Sequence, residues 1–260
     1  MLIFDPLDLV AIAVFGAAWG SYAITMEATT FGRRALNSQM DDIRTIWMRR
    51  MLRRESRIVD AQIMAALQNG AAFFASTSLL AIGGALTVVR STDQVVSVLS
   101  SLPLSLPTGR EMWEAKAVGL VVIFVYTFYK FAWSYRLFNY VAIMLGATPP
   151  ASQQASREAR LHIARTTRLF KSAGMHFNRG QRALFFALAY LGWFIGPWIL
   201  IASTLAVVAV VWHRQFASDS LRALDWDEVD DDPDAATATQ PPPAQPPGPG
   251  NNAEDRSVNQ

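Results

Sequence analysis

Lys130 and Arg136 stand in the stretch YKFAWSYRLFNY, residues 129–140, inside the apolar run AVGLVVIFVYTFYKFAWSYRLFNYVAIMLGA. A cation in hydrocarbon costs at least ~2.5–3.5 kcal/mol on insertion scales, so it faces a cavity, a partner or the interface. A helix entering near Lys116 and advancing about 1.5 Å per residue carries Lys130 about 21 Å along a path of about 30 Å, and Arg136 to its far boundary. Snorkelling would then satisfy Arg136 fully and Lys130 in part. Ser134, Tyr135, Arg136, Asn139 and Tyr140, however, spread polar groups around most of the helical wheel, so no single lipid-facing side suits them all. Glu27, Asp60, Gln62, Gln68 and Asn69 fall at the same level on other apolar segments, as do Asn178, Gln181 and Arg182. Opposite charges at one depth in a low dielectric should pair, because leaving either bare costs several kcal/mol. The expected binding set is Lys130, Arg136, Asn139, Asp60 and Glu27, with Arg136–Asp60 the first pairing to expect. Its role stays open between structural pairing and a substrate or ion site.

Other chemistry has little support in the residue types. The chain has no cysteine, which removes disulfide and thiolate chemistry. Glu158 and His162 share a helix face, but two residues do not make a metal site, and an ordinary helix-stabilising pair is expected there. The glycines of AIGGALTVV lie in an apolar run and cannot form an exposed phosphate loop. A membrane enzyme would need paired carboxylates, a His with an acid partner, or a metal set. Glu27, Asp60 and His176 are the only nearby candidates, so a non-enzymatic role is expected, without cofactor or metal. A small polar or anionic solute, or a larger membrane complex, is the expected business of the cluster. The alternatives are a lipid-modifying enzyme and a lipid-organising structural protein.

The elements that must position these residues follow from how charge and apolarity segregate. The 260 residues are 52% hydrophobic, yet carry 23 Lys and Arg against 21 Asp and Glu. Four apolar runs reach the ~20 residues needed to cross a bilayer as a helix: residues 7–26, 65–89, 117–138 and 183–212. The expected fold is an all-α membrane protein, with a four-helix transmembrane domain over residues 1–216. Pro197 is expected to kink the last span. The pairs Gly16/Gly20 and Gly192/Gly196, with Gly70 beside Ala71, Ala72 and Ala75, would let helices approach closely. Four helices make a thin wall for a pore, which is compatible with a homo-oligomer or a larger complex.

Residues 27–64 hold eight arginines and residues 146–182 hold seven basic residues, whereas the stretch 90–116 has three. Short basic loops stay in the cytoplasm. Both basic loops are therefore expected inside and both termini outside, in the cell membrane; for a bacterium, these are the inner membrane and the periplasm. The N-terminal stretch MLIFDPLD has no basic residue and so lacks the n-region of a cleavable signal peptide. The net charge of +2 is explained by topology rather than by nucleic-acid binding.

Two cytoplasmic amphipathic helices are expected. In the first, Arg49, Arg50, Arg53, Arg54 and Arg57 oppose Trp47, Met48, Met51, Leu52, Ile58 and Val59, a pattern suited to anionic lipid head groups. The alternative is packing against the other basic loop. The second follows Pro149 and Pro150, which end the third helix, and is expected to close at Gly174. Residues 217–260 are acidic and then Pro-rich, with seven acidic residues between Asp225 and Asp234. They are expected to be a disordered, solvated tail.

The segments SRIVDAQIMAALQNGAAFFASTSLLAIGG, YKFAWSYRLFNY and HFNRGQRALFFALAYLGWFIGPW together resemble a membrane-protein family catalogued as domain of unknown function 599. The likeness covers about residues 5 to 215. It implies a four-helix integral membrane protein, adds no catalytic residues, and fits a role for Asp60, Lys130, Arg136 and Asn139.

Overall fold

The structure is a computed structural model that describes residues 5–91 and 109–217. The expected tail lies outside the described residues apart from Ala217. Six α-helices follow in chain order: α1 (Pro6–Ala28), α2 (Leu36–Leu52), α3 (Ile58–Arg90), α4 (Arg110–Gly146), α5 (Arg157–Leu191) and α6 (Pro197–Phe216). Among the described residues there is no strand, and α1, α3, α4 and α6 are long and apolar enough to cross a membrane.

Helix starts follow local chemistry. Pro6 and Pro197 open α1 and α6, where a missing N–H costs nothing. Ser156 caps α5 by accepting from the Ala159 N–H at 3.0 Å. Gly174 does not end that helix, as expected from the sequence, but lies within it. A side chain at Gly174 would meet the Arg44 guanidinium at 2.7 Å, so the glycine serves a close approach between α2 and α5 rather than a stop.

Central α4 packs along α3 on one side and α5 on the other. The bundle has two stacked cores. One gathers Phe15, Phe124, Phe186, Tyr190 and Leu200. The other, at the arginine-rich end, gathers Met48, Met51, Met64, Phe138, Val141 and Phe170. The second core exists because α3, α4 and α5 run on past the apolar spans seen in the sequence and offer protein surface beyond them. The apolar face of α2 is spent on that core: Met48 and Met51 are fully buried.

The apolar run 183–212 is not one kinked span. Its first residues finish α5, a 3₁₀ turn occupies Gly192–Phe194, and α6 begins at Pro197. The chain doubles back there, and the Ser203 hydroxyl of α6 donates to the Ala189 carbonyl of α5 at 2.7 Å. A Cβ on Gly192 would lie 2.7 Å from the Ser203 hydroxyl and 3.0 Å from the Ile199 carbonyl, so glycine allows the tight return. Near the start of α1, Asp8 bonds Trp193 in this turn. Near the end of α6, the Gln215 side-chain oxygen accepts from the Asn37 N–H at 3.4 Å, in the first turn of α2. Asp5 and Ala217 therefore lie at opposite ends of the bundle. The expectation of both termini on one side treated residues 183–212 as one helix, whereas these residues are divided between α5 and α6.

Of the small-residue pairs, Gly16 and Gly20 face open space, as does Gly70, and bring no helices together in this chain. Close approach occurs instead at Gly180, whose Cβ would lie 2.9 Å from the Phe131 ring.

Candidate functional site

Three polar clusters punctuate the bundle. At the Asp5 end, Asp8 and Lys116 are both buried. The Trp193 indole N–H donates to Asp8 at 2.6 Å, and the Lys116 ammonium donates to the Trp193 carbonyl at 2.9 Å while lying over its ring. This set fastens α1, α4 and the turn after α5. This set was not legible in the sequence, because Lys116 reads as the entrance of a span.

At the α2–α3 corner, Asp60 is completely buried. It accepts from the Trp47 indole at 2.6 Å and from Arg54 at 2.7 Å, leaving Oδ2 without a hydrogen-bond partner. Asp60 sits in the first turn of α3, where a negative charge suits the helix dipole. The expected Asp60–Arg136 pair is thus replaced by Asp60–Arg54, since the turn after α2 brings Arg54 back over the start of α3. Arg57 turns inward and donates to the Thr148 and Pro149 carbonyls at 2.8 and 2.6 Å, satisfying acceptors past the end of α4. Of the five expected surface arginines, Arg49, Arg50 and Arg53 are exposed along or just after α2, whereas Arg54 and Arg57 are committed to these contacts. His162 takes a contact with the Met144 carbonyl at 2.8 Å.

The third cluster lies where α1 ends. Glu27 receives both nitrogens of an Arg179 fork, Nε at 2.8 Å and a terminal nitrogen at 2.6 Å, and one from Arg182 at 2.6 Å. The sequence placed Arg182 at this depth but not Arg179, and it paired Glu27 with Lys130 or Arg136. Two arginines one helical turn apart on α5 take the carboxylate instead, since a planar fork matches it bidentately. Lys130 is within electrostatic reach of Glu27 and Arg179, but its ammonium sits over the Tyr126 ring, 5.0 Å from the centroid. Arg136 donates to the Tyr140 hydroxyl at 2.8 Å. Both cations therefore hold neutral aromatic partners on their own helix. Asn139 accepts from Gln68 of α3 at 2.7 Å.

Lys130, Arg136, Asn139 and His176 line one open groove of about 670 Å³, with Tyr129, Trp133 and Tyr135 at its sides. The buried His176 Nδ1 has no hydrogen-bond partner. A separate cavity of about 540 Å³ lies between the end of α1, α2 and α5, and Glu27, Arg182, Asp41 and Lys171 line it. Of the five expected binding residues, the groove unites Lys130, Arg136 and Asn139, while Glu27 lines the other cavity and Asp60 stays at its own corner. His176 and Arg179 complete the neighbourhood.

Four apolar helices and a charged groove at one end of the bundle fit a multi-pass membrane protein. Residues 10–220 match the family described as protein of unknown function, DUF599, and the chain belongs to that family. No curated protein and no solved structure matches it.

Proposed function

We propose that this chain crosses the cell membrane with its arginine-rich end in the cytoplasm, and that the groove of Lys130, Arg136, Asn139 and His176 binds an anionic solute. The observation that carries the reading is the charge inventory. Lys130 and Arg136 line the groove without a carboxylate at ion-pair distance among the described residues, because Glu27 is taken by Arg179 and Arg182. Uncompensated cations at the edge of a low dielectric favour an anion. Orientation follows from the basic segments. α5 then makes an additional crossing, sheltered from lipid by the other helices, and Ala217 lies inside. The exposed Arg49, Arg50 and Arg53 contact anionic head groups at the same face.

Inorganic phosphate tests the reading on purified protein in detergent. At about 100-fold excess over its Kd, a ligand of the folded state adds ~2.7 kcal/mol of stability, roughly a 5–10 °C rise in Tm for a chain of this size. The rise is expected for the wild type and for Arg49→Gln at constant ionic strength, and not for Lys130→Gln or Arg136→Gln. An equal rise in all four proteins rejects the groove.

A further inference from the structure

We infer that the anion is the phosphate head group of a membrane amphiphile, which enters the groove sideways from the cytoplasmic leaflet. The inference rests on the anion reading above and adds the chemical class and route of the ligand.

Depth is the first argument. The Asp8 cluster and the Glu27 cluster lie at the two ends of α1, about 28 Å apart at about 1.5 Å per residue. That separation matches a hydrocarbon core of about 30 Å, so the clusters sit at its two boundaries. Phe131, next to Lys130, packs on Gly180, and the adjacent Arg179 holds Glu27, so Lys130 sits close to the same boundary. Lipid phosphates occupy the layer just outside the hydrocarbon.

Shape is the second. Val118, Val122, Tyr126, Tyr129 and Trp133 are all exposed, from 40% at Tyr126 to 66% at Tyr129. They recur every three or four residues along α4, and Arg136 continues the same face. The stripe runs about 27 Å from Val118 to Arg136. An acyl chain has a continuous apolar track that ends at two cations. The Glu27 bridge to Arg179 and Arg182 borders the other cavity rather than this groove.

Chemistry is the third. Lys130 and Arg136 meet neutral aromatic partners, and neither has a carboxylate at ion-pair distance among the described residues. An Arg fork and a Lys point charge are complementary to phosphate oxygens. The His176 Nδ1, buried and unpartnered, supplies a further polar atom beside the groove.

The full chain in detergent is titrated with dioleoyl phosphatidic acid, with glycerol 3-phosphate as the same head group without chains, and with phosphatidylcholine, whose choline offsets the phosphate charge. Phosphatidic acid is expected to bind at least tenfold more tightly than either. Lys130→Gln and Arg136→Gln each weaken phosphatidic acid binding at least tenfold, whereas Lys130→Arg keeps it within threefold. Trp133→Ala weakens phosphatidic acid and leaves glycerol 3-phosphate unchanged. Equal affinity for phosphatidic acid and glycerol 3-phosphate, both lost in Lys130→Gln, overturns the lipid inference and leaves the anion site standing. Phosphatidic acid binding that survives Lys130→Gln and Arg136→Gln overturns the inference, as does phosphatidylcholine binding as tightly. Failure of every phosphate compound to bind removes the anion site as well.

Discussion

Phe131→Ala is expected to lower the unfolding free energy in detergent by about 3 kcal/mol, the low end of the range for deleting a buried phenyl ring. Phe131 is fully buried and stacks on Phe74 with centroids 5.1 Å apart, while Phe177 meets it edge-on at 5.4 Å. The low end applies because lipid and protein interior are comparably apolar, so the loss is chiefly packing and cavity rather than transfer from water. The same ring explains Gly180. A methyl group there would lie 2.9 Å from two Phe131 ring carbons, with the ring held on both sides. Gly180→Ala alone is expected to cost about 1–3 kcal/mol by overpacking. In the Phe131→Ala background the added methyl enters the vacated space and costs nothing or restores stability. Chemical denaturation of the four proteins gives the coupling energy. Additivity within about 0.5 kcal/mol contradicts the contact.

Asp8→Ala is expected to cost about 2–3 kcal/mol, because it removes the buried acceptor of the Trp193 indole and a carboxylate charge near the buried Lys116. Lys116→Met on its own leaves Asp8 with its indole donor, and so costs less. Combined with Asp8→Ala it removes the buried cation as well, and the double variant recovers at least ~1 kcal/mol relative to the sum of the single losses. Unfolding titrations in one detergent measure all three. A double variant at the plain sum shows that Lys116 and Asp8 act independently.

What the sequence could disclose was depth, and what it withheld was rotation. The runs beginning at residues 7, 65 and 117 are helices near the expected places, because an apolar window of bilayer length has few other uses. Helix α5 escaped the same reading. Its second half carries His176, Arg179 and Arg182, and it tolerates the two arginines because both bond the Glu27 carboxylate. Its last apolar residues then merged with α6 into one apparent span. Glu27, Asp60, Lys130 and Arg136 read as residues of one level, but Gln68 meets Asn139 and so sets Asp60, eight residues earlier on α3, further toward the arginine-rich end. Their partners depended on how α2 folds back over α3 and which face α5 turns to α1, and neither angle is written in spacing. Gly174 shows a related ambiguity, since a missing side chain serves a helix stop and a close guanidinium equally well.

Where the arginine-rich end lies decides whether the Lys130–Arg136 groove meets the cytoplasmic leaflet. Because the chain has no cysteine, a single introduced thiol reports one position. Asp5→Cys, Arg49→Cys and Ala217→Cys place thiols at exposed sites at the two ends of the bundle. With a membrane-impermeant maleimide on intact cells, the account predicts labelling of Asp5→Cys alone, with Arg49→Cys and Ala217→Cys labelled only after permeabilisation. Labelling of Ala217→Cys together with Asp5→Cys would contradict the α5–α6 return, and labelling of Arg49→Cys from outside would contradict the cytoplasmic placement of the groove.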